Sequence, residues 1–589
     1  MSEITGVDIT WQDLSVMCPL TKAEKKRRMK ENLPLDDKTI INKVSGTMKA
    51  GTFTAILGPS GCGKTTMLNF LSNRHYYLKG LKVLGEVLVN GHPRKSIDFN
   101  SITGYVMQDD VIMEAMTVEE VLNFTAKLRL PADVWQDRVE KVIKDLELHN
   151  CRKSEVGGVL KKGISGGEKK RTSIAIEMLT DPAILFLDEP TTGLDSYNSE
   201  NLVDKLNDLA KTGITVVCTI HQPNSFIYAA FDQVLLLAGG SVMFHGDARD
   251  AISHFGELGY PCGEYKNPAE HLLGLLSPID DTYEGRMEVL RKGVIPWDGV
   301  IEEKSVKGAL QTKESTMVEE VYALGKRIWI NLARNKLIFF FKVVANFAFV
   351  ILSLMVFYQV CDGSSSSSVW NRSGVMFFML MFTGFSAVNS SGAYADEKAM
   401  FIREQSSKAY RPLSYYMSKV LFEMPIDVLI RVFVNILVYL GVGLSLDNAE
   451  QIFIFVGISA LVELASRGWG NFLVIIIPSV QASSAVSPFV MLVQMLFSGF
   501  FIKSSLIPDY LIEFEYLSIF KYSWEAAMIN EFNTFDRTKC GDDPMCDPND
   551  FFDLDRPMWV LFMCMAILIV LTHFAAYLSL VKLARKFRL

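Results

Sequence analysis

The chain has 589 residues, too many for one ordinary domain, so two or more are expected. It is 49% hydrophobic, with 38 Phe and 26 Met, and its mean hydropathy is positive, which argues against a wholly soluble protein and for membrane segments in part of it. A net charge of −7 names no partner and gives no sign of nucleic acid, and 9 cysteines without a C-x-x-C pair indicate neither a zinc site nor a redox motif.

Residues 1–17 are mixed polar and lack the apolar core of a cleavable signal, so the front of the chain is expected to stay in the cytosol. Residues 9–17 alternate as a strand does. Lys22, Lys25, Lys26, Arg27, Arg28 and Lys30 form a charge run without apolar period. It reads as a solvated loop, with attraction to anionic lipid as the alternative. Residues 39–44 and 53–57 read as strands. The second leads into Gly58-Pro59-Ser60-Gly61-Cys62-Gly63-Lys64-Thr65-Thr66, a full match to G-x-x-x-x-G-K-[ST], after which a helix can start. In that strand–loop–helix setting the loop N–H groups and the helix N-terminus are expected to cradle phosphates. Lys64 would reach the β- and γ-phosphates and the Thr65 hydroxyl would ligate Mg²⁺. The bland alternative is a Gly-rich turn that happens to precede a helix.

Residues 104–110 read as a short strand ending near Gln108, which alone would be an ordinary amide. Ser165-Gly166-Gly167-Glu168 opens a helical pattern, and Ser165 with Glu168 is a capping box, a purely structural reason for both. The two glycines cost about 1 kcal/mol each inside a helix, which suggests close approach of bare N–H groups to an anion. Residues 183–187 form a continuous apolar run ending in Asp188-Glu189-Pro190. Carboxylates at the end of a buried strand sit at the ligand edge of an α/β sheet. Asp188 is placed to hold Mg²⁺, usually through water, and Glu189 to polarise an attacking water. Residues 215–220 are another apolar strand, ending at His221, which would lie at the same edge and could touch the γ-phosphate.

These pieces in this order resemble an ABC transporter ATPase over residues 9–277, with residues 58–66 as phosphate loop, Gln108 as Q-loop, residues 165–168 as signature, residues 187–190 as Walker B, Asp195 in Gly193-Leu194-Asp195-Ser196 as D-loop and His221 as H-loop. The resemblance implies an α/β P-loop ATPase with ATP and Mg²⁺ as cofactors. Gly58, Ser60, Gly61, Cys62, Gly63, Lys64, Thr65 and Thr66 would hold nucleotide from one chain. Ser165, Gly166, Gly167, Glu168 and Asp195 would complete the site, Gln108 would join Thr65 and Asp188 at the metal, and Glu189 and His221 would serve catalysis. Trp11 is the best candidate to stack on adenine. Met107-Gln108-Asp109-Asp110, Leu128-Arg129-Leu130-Pro131, the Lys169-Lys170-Arg171 extension of the signature and Asn267-Pro268-Ala269-Glu270 resemble subfamily G, the white and multidrug-resistance half-transporters. That family has Asp-Phe where Glu270-His271 stand, and His271 reads as local variation.

Residues 278–317 turn polar and irregular, as a linker does, and residues 318–336 repeat Val318, Val321, Leu324, Ile328 and Leu332 at helical spacing, as an amphipathic connecting helix would. Residues 337–589 then form an all-α transmembrane domain of six expected spans, about 337–360, 370–393, 415–443, 452–477, 482–502 and 557–581, with an outer segment 503–556. Lys398, Arg403, Lys408, Arg411 and Lys419 sit between the second and third spans and Lys582, Arg585, Lys586 and Arg588 in the tail, whereas residues 361–369 and 445–451 carry no Lys or Arg. Both termini are therefore expected in the cytosol. Residues 397–411 resemble the subfamily's coupling helix, expected to dock near Gln108. Cys540 and Cys546 would face an oxidising compartment, which favours a bridge over free thiols. Asn371-Arg372-Ser373 is a sequon beside a span. Glu423, Asp427 and Arg431 lie a turn apart in the third span, Glu423 near its solvated end; Glu463 and Arg467 stand at i,i+4 in the fourth. Pairing with each other, pairing with Asp427 and Arg431, and a place on a substrate path are all open, with structural pairing preferred.

The chain is thus expected to be half of a dimeric ATP-hydrolysing exporter of an apolar or amphipathic substrate such as a lipid, sterol or drug. The rival is an ATP-gated channel or regulatory membrane protein of the same architecture, which conductance against ATP-dependent uptake would separate. The membrane, plasma or internal, and the choice between homo- and heterodimer are not legible.

Overall fold

A computed structural model of the chain describes residues 6–31, 34–74, 80–158, 161–278, 281–295, 297, 299, 303, 313, 315–358, 366–445, 449–503, 506–533, 554 and 556–587. Two compact units divide between Ser315 and Thr316. In the first, β1 (Ile9–Cys18), β2 (Lys38–Met48), β4 (Lys82–Val89) and β5 (His92–Pro93) form an antiparallel sheet in the order β2-β1-β4-β5. A second sheet has the order β10-β9-β3-β8-β7-β6, from β3 (Phe53–Leu57), β6 (Thr103–Val106), β7 (Ile184–Asp188), β8 (Thr215–Thr219), β9 (Gln233–Ala238) and β10 (Ser241–Asp247). Its strands run parallel except for the β9–β10 hairpin. Every residue of β3, β7, β8 and β9 is buried, which is why each reads as an unbroken apolar run rather than an alternation. Register decides where the chemistry falls. Thr219 stands opposite both Ile56 and Asp188, and Leu187 opposite Val106, so β3, β8, β7 and β6 end level at one edge.

The helices of this unit are α1 (Lys22–Lys30), α2 (Lys64–Leu71), α3 (Val118–Arg129), α4 (Trp135–Asp145), α5 (Gly166–Met178), α6 (Ser196–Lys211), α7 (Ser225–Ala229), α8 (Ala248–Glu257), α9 (Pro268–Leu276) and α10 (Tyr283–Lys292). Two of them correct the sequence reading. The charge run expected as a loop is α1, exposed at its described residues apart from half-buried Arg28 and started by a Thr21–Glu24 capping box. Within the expected linker, α10 buries Met287 and Leu290 completely, so part of that segment belongs to the first unit.

The second unit is helical: α11 (Met317–Arg334), α12 (Lys336–Phe357), α13 (Ser366–Ser390), α14 (Gly392–Ser406), α15 (Pro412–Ser418), α16 (Met424–Val442), α17 (Ala449–Ile476), α18 (Val480–Leu496), α19 (Ile512–Tyr516), α20 (Ile519–Glu531) and α21 (Met558–Phe587). Between α15 and α16 the turn widens to π geometry over Lys419–Glu423. Pro425 explains it, because proline lacks an N–H and its ring crowds the carbonyl four residues back. Among the described residues, five stretches are long and apolar enough to cross a bilayer: Phe339–Phe357, Ser368–Ser390, Pro412–Val442, Ala449–Ile476 and Met558–Phe587. The stretch expected to cross at 482–502 forms the 17-residue α18. At 1.5 Å per residue that is about 26 Å, short of the ~30 Å hydrocarbon core.

On α17, a side chain in place of Gly468 would run into Thr572 of α21, and one in place of Gly470 into Ser391. These glycines let the backbones approach, as small residues do in membranes. Helix α11 buries Leu324 and Ile328 and exposes Val318, Tyr322 and Trp329. Its Arg327 pairs with Glu404 of α14 at 2.6 Å, and its Glu320 accepts from the Arg411 N–H at 3.0 Å. The sequon lies inside α13, where Ser373 is fully buried and donates to the Trp370 carbonyl at 2.8 Å. Cys540 and Cys546 lie outside the described residues.

Candidate active site

β3 delivers the chain from a buried strand into the phosphate loop, where three glycines take backbone angles other residues avoid: φ +157° at Gly58, +77° at Gly61 and +108° at Gly63. A Cβ at Gly58 would meet the Leu237 carbonyl and, at 2.7 Å, Cys62 Sγ, whereas one at Gly61 would meet only open space. Gly63 caps α2 without any side-chain bond, so the first-turn N–H groups stay available to an anion. Lys64 is buried and donates from Nζ to the Gly58 and Pro59 carbonyls at 2.9 and 3.0 Å, tying the loop into a ring. Cys62 is packed, and burial pushes its thiol pKa up.

The level strand ends bring the other residues to this loop. Asp188 Oδ1 accepts from Thr65 Oγ1 at 3.3 Å and from Thr219 Oγ1 at 2.7 Å. Burial, with Glu189 adjacent, raises the Asp188 pKa. Thr219 also accepts from the Glu189 N–H at 2.9 Å. Glu189 itself has φ +45°, a left-handed conformation that is costly for a residue with a side chain and typical of functional positions. Its Oε2 accepts from Gln108 Nε2 at 3.1 Å and from Thr192 Oγ1 at 3.0 Å. His221 Nε2 lies 3.2 Å from Ser60 Oγ, followed by Gln222 at φ +49°. Seven expected residues, Ser60, Lys64, Thr65, Gln108, Asp188, Glu189 and His221, thus come to one edge, and Thr65, Asp188, Glu189 and Gln108 are bonded in series there through Thr219. Three partners went unread in the sequence: Thr219, Thr192 and Lys170, whose buried Nζ donates to the Gln108 carbonyl at 2.8 Å and pairs with Asp110 at 2.9 Å. The signal for Thr219 was its place at the end of an apolar strand two residues before His221.

At α5 the capping box is complete: Ser165 N and Oγ donate to Glu168 Oε2 at 2.8 Å each, and Glu168 N donates back to Ser165 Oγ at 3.3 Å. Gly167 has a packing reason absent from the sequence. A Cβ there would lie 2.9 Å from Asn198 Oδ1, on a residue whose amide donates to Asp195 at 2.7 Å; Gly166 meets only Leu194, at 3.3 Å. Trp11 is no adenine platform. It is fully buried in β1 and stacks on His245 with centroids 5.5 Å apart. His271 is buried 3.0 Å from the Tyr260 carbonyl, a structural contact.

In the second unit, the charges of the third and fourth spans pair mainly across helices, with Lys419–Glu423 a pair along the third span. Arg467 lies 2.7 Å from Glu423 and 3.0 Å from Asp427, and Asp427 also holds Lys342 of α12. Lys419 bridges Glu423 and Glu397 at 2.9 Å each, and Arg431 faces Glu463 at 3.7 Å while donating to Asn346 at 2.9 Å. Glu423 is therefore ion-paired rather than solvated. Four cations and four carboxylates balance, which is what burial in an apolar bundle demands.

Residues 41–192 match the family described as ABC transporter, and residues 319–532 the family described as ABC-2 type transporter. The fold and site therefore define an ABC ATPase joined to a helical membrane domain. Among relatives, the Sus scrofa protein named broad substrate specificity ATP-binding cassette transporter ABCG2 is 33% identical over 84% of this chain and 80% of its own. ABC transporter G family member 14 of Arabidopsis thaliana is 32% identical over 92% of this chain and 87% of its own. The Caenorhabditis elegans ABC transporter ATP-binding protein/permease wht-1 is 31% identical over 90% and 83%. The chain belongs to the ABC transporter G family: an integral membrane protein whose ATPase powers transport.

Proposed function

We propose that two such chains pair and export an apolar or amphipathic substrate, a lipid, sterol or drug-like molecule, with both termini in the cytosol. The observation that carries the catalytic part is the single bonded edge from Thr65 through Asp188, Thr219 and Glu189 to Gln108. Thr65 and Asp188 offer hard oxygen donors 3.3 Å apart, which suits Mg²⁺, and a cation there would offset the cost of ionising buried Asp188. Gln108 donates its NH₂ to Glu189, which leaves its carbonyl oxygen for the same cation. Lys64 keeps one N–H beyond the two that hold the loop, directed to the β- and γ-phosphates of ATP.

Glu189, oriented by Gln108 and Thr192, polarises the water that attacks the γ-phosphate, and His221 contacts that phosphate. Residues 165–168 and Asp195 close the nucleotide held by the partner's loop. Residues 397–411 carry the motion to the spans. Support for a broad apolar substrate comes from relatives whose names state broad specificity and from Phe- and Met-rich spans. The test is uptake of fluorescent phospholipid and sterol probes into inside-out proteoliposomes: uptake that needs hydrolysable ATP is expected, and an ATP-gated conductance without uptake would overturn export.

A further inference from the structure

In the first unit, α5 carries two groups with different tasks. Its N-terminus presents the Ser165–Glu168 capping box, and further along the same helix Lys170 turns inward and is only 2% exposed. The buried ammonium pairs with Asp110 at 2.9 Å and donates to the backbone carbonyls of Gln108 and Met107 at 2.8 and 3.4 Å. To pack α5 against β6, an apolar side chain would serve as well, because a buried ion pair roughly breaks even against an apolar replacement. The lysine instead grips the main chain of Gln108, whose side chain donates to Glu189 at 3.1 Å. Helix α5, Lys170, Gln108 and Glu189 therefore form one series of bonds.

The stretch that follows Gln108 is tied to the approach to α5 as well. The Val156 N–H donates to the Met116 carbonyl and the Gly157 N–H to the Glu114 carbonyl, both at 2.9 Å, and Thr117 bridges Glu155. The Glu114 carboxylate lies so close over Gly158 that a Cβ there would strike it. The Ile164 N–H donates to the Glu155 carbonyl at 3.2 Å, which fastens this ladder to the residue before Ser165. A shift of the signature end of α5 thus moves Lys170 with it, and Lys170 moves the backbone of Gln108.

We infer that Lys170 is a positioning residue that carries the docking of α5 on the partner's nucleotide to Gln108, and through it to Glu189, of its own chain. The inference rests on the pairing proposed above, in which residues 165–168 close the nucleotide held by the other chain. Nucleotide bound by one chain then sets the carboxylate that hydrolyses the nucleotide of the other, and the two sites of the dimer turn over cooperatively.

The test uses full-length chains with two different affinity tags, co-expressed, purified through both tags and reconstituted in nanodiscs. Each dimer carries one Glu189→Gln chain, so that a single carboxylate turns over. Phosphate release is measured with Lys170→Met placed either on the chain with intact Glu189 or on the chain with Glu189→Gln. Turnover should be about tenfold lower in the first arrangement than in the second. With Lys170→Met in both chains and Glu189 intact, the Hill coefficient for ATP should fall toward 1, from a parent value bounded by the two-site ceiling of about 2. Lys170→Arg, which keeps the charge and the donors, should recover most of both effects. Retention of the ATP-dependent cross-link between Ser60→Cys and Ser165→Cys shows that Lys170→Met is folded and still docks. Asp110→Asn, which removes the ion pair and leaves the carbonyl bonds, should give a smaller asymmetry of the same sign and decides the matter if Lys170→Met does not fold. Equal turnover of the two arrangements, the reverse order, or a Hill coefficient left at the parent value overturns the relay and leaves the pairing intact. If no complex carrying both tags can be isolated, the pairing itself fails, and the relay with it.

Discussion

The phosphate-loop edge and the charge cluster of the spans both bury polar groups, but they are built in opposite ways. At the edge, the groups sit on loops just past level strand ends and are held by neutral hydroxyls and amides: Thr219 on Asp188, Gln108 and Thr192 on Glu189. In the spans, charge meets charge across α12, α16 and α17, with Arg467 between Glu423 and Asp427. The first arrangement leaves carboxylates with unspent capacity for a cation and a water. The second leaves no charge unmatched. A reacting site and a rigid core are the two outcomes, and substitution should separate them.

The largest effect is expected from Glu189→Gln. ATP should still bind, while steady-state turnover measured by phosphate release should fall about 10²–10⁴-fold. Stability should hardly move, because the amide keeps an oxygen to accept from Gln108. Arg467→Ala should do the reverse: it leaves one cation too few among Glu423, Asp427, Glu397 and Glu463, costing about 3 kcal/mol in detergent unfolding, whereas the apolar double Arg431→Met/Glu463→Leu should be near neutral. Transport retained in Glu463→Ala/Arg467→Ala would remove any substrate role for those groups.

Thr219→Val should cost about 1–3 kcal/mol of ATPase-unit stability and also lower turnover, since one hydroxyl serves both Asp188 and Glu189. The smallest effect is one of pH. Asp188 has its pKa raised above 3.8 by burial, so the fold holds that proton more tightly than the unfolded chain does. Its favourable contribution is present below the ordinary carboxylate range and fades as pH rises through the folded pKa. Without nucleotide at pH 7, Asp188→Asn should therefore unfold at slightly higher temperature than the parent, yet lose the further stabilisation that Mg²⁺-ATP gives the parent.

The same contrast explains what the sequence made legible. The edge could be read because each group sits at a fixed offset from a buried strand, and parallel register then aligns the offsets. Trp11 misled because an aromatic in a strand pattern says nothing of which face is covered; here His245 covers it. The cluster could not be read because Glu463 and Arg467 are neighbours along one helix, while their partners Arg431, Asp427 and Glu423 come from α16 and the wide turn that precedes it. Helix α1 was legible in Thr21-Lys22-Ala23-Glu24, a capping box masked by the charge run after it. The 17 residues of α18 show why a run of apolar residues bounds a helix only loosely: the chain leaves the helix at Phe497 and turns at Gly499, φ +89°.

The central claim is that each nucleotide edge is half a site, completed by the signature helix of a second chain. Cross-linking between cysteines introduced at Ser60 and Ser165 in the Glu189→Gln background tests it most directly. The account predicts an ATP-dependent band at twice the 66.1 kDa chain mass, lost with Lys64→Ala. A cross-link confined to single chains, or one indifferent to ATP, would contradict it.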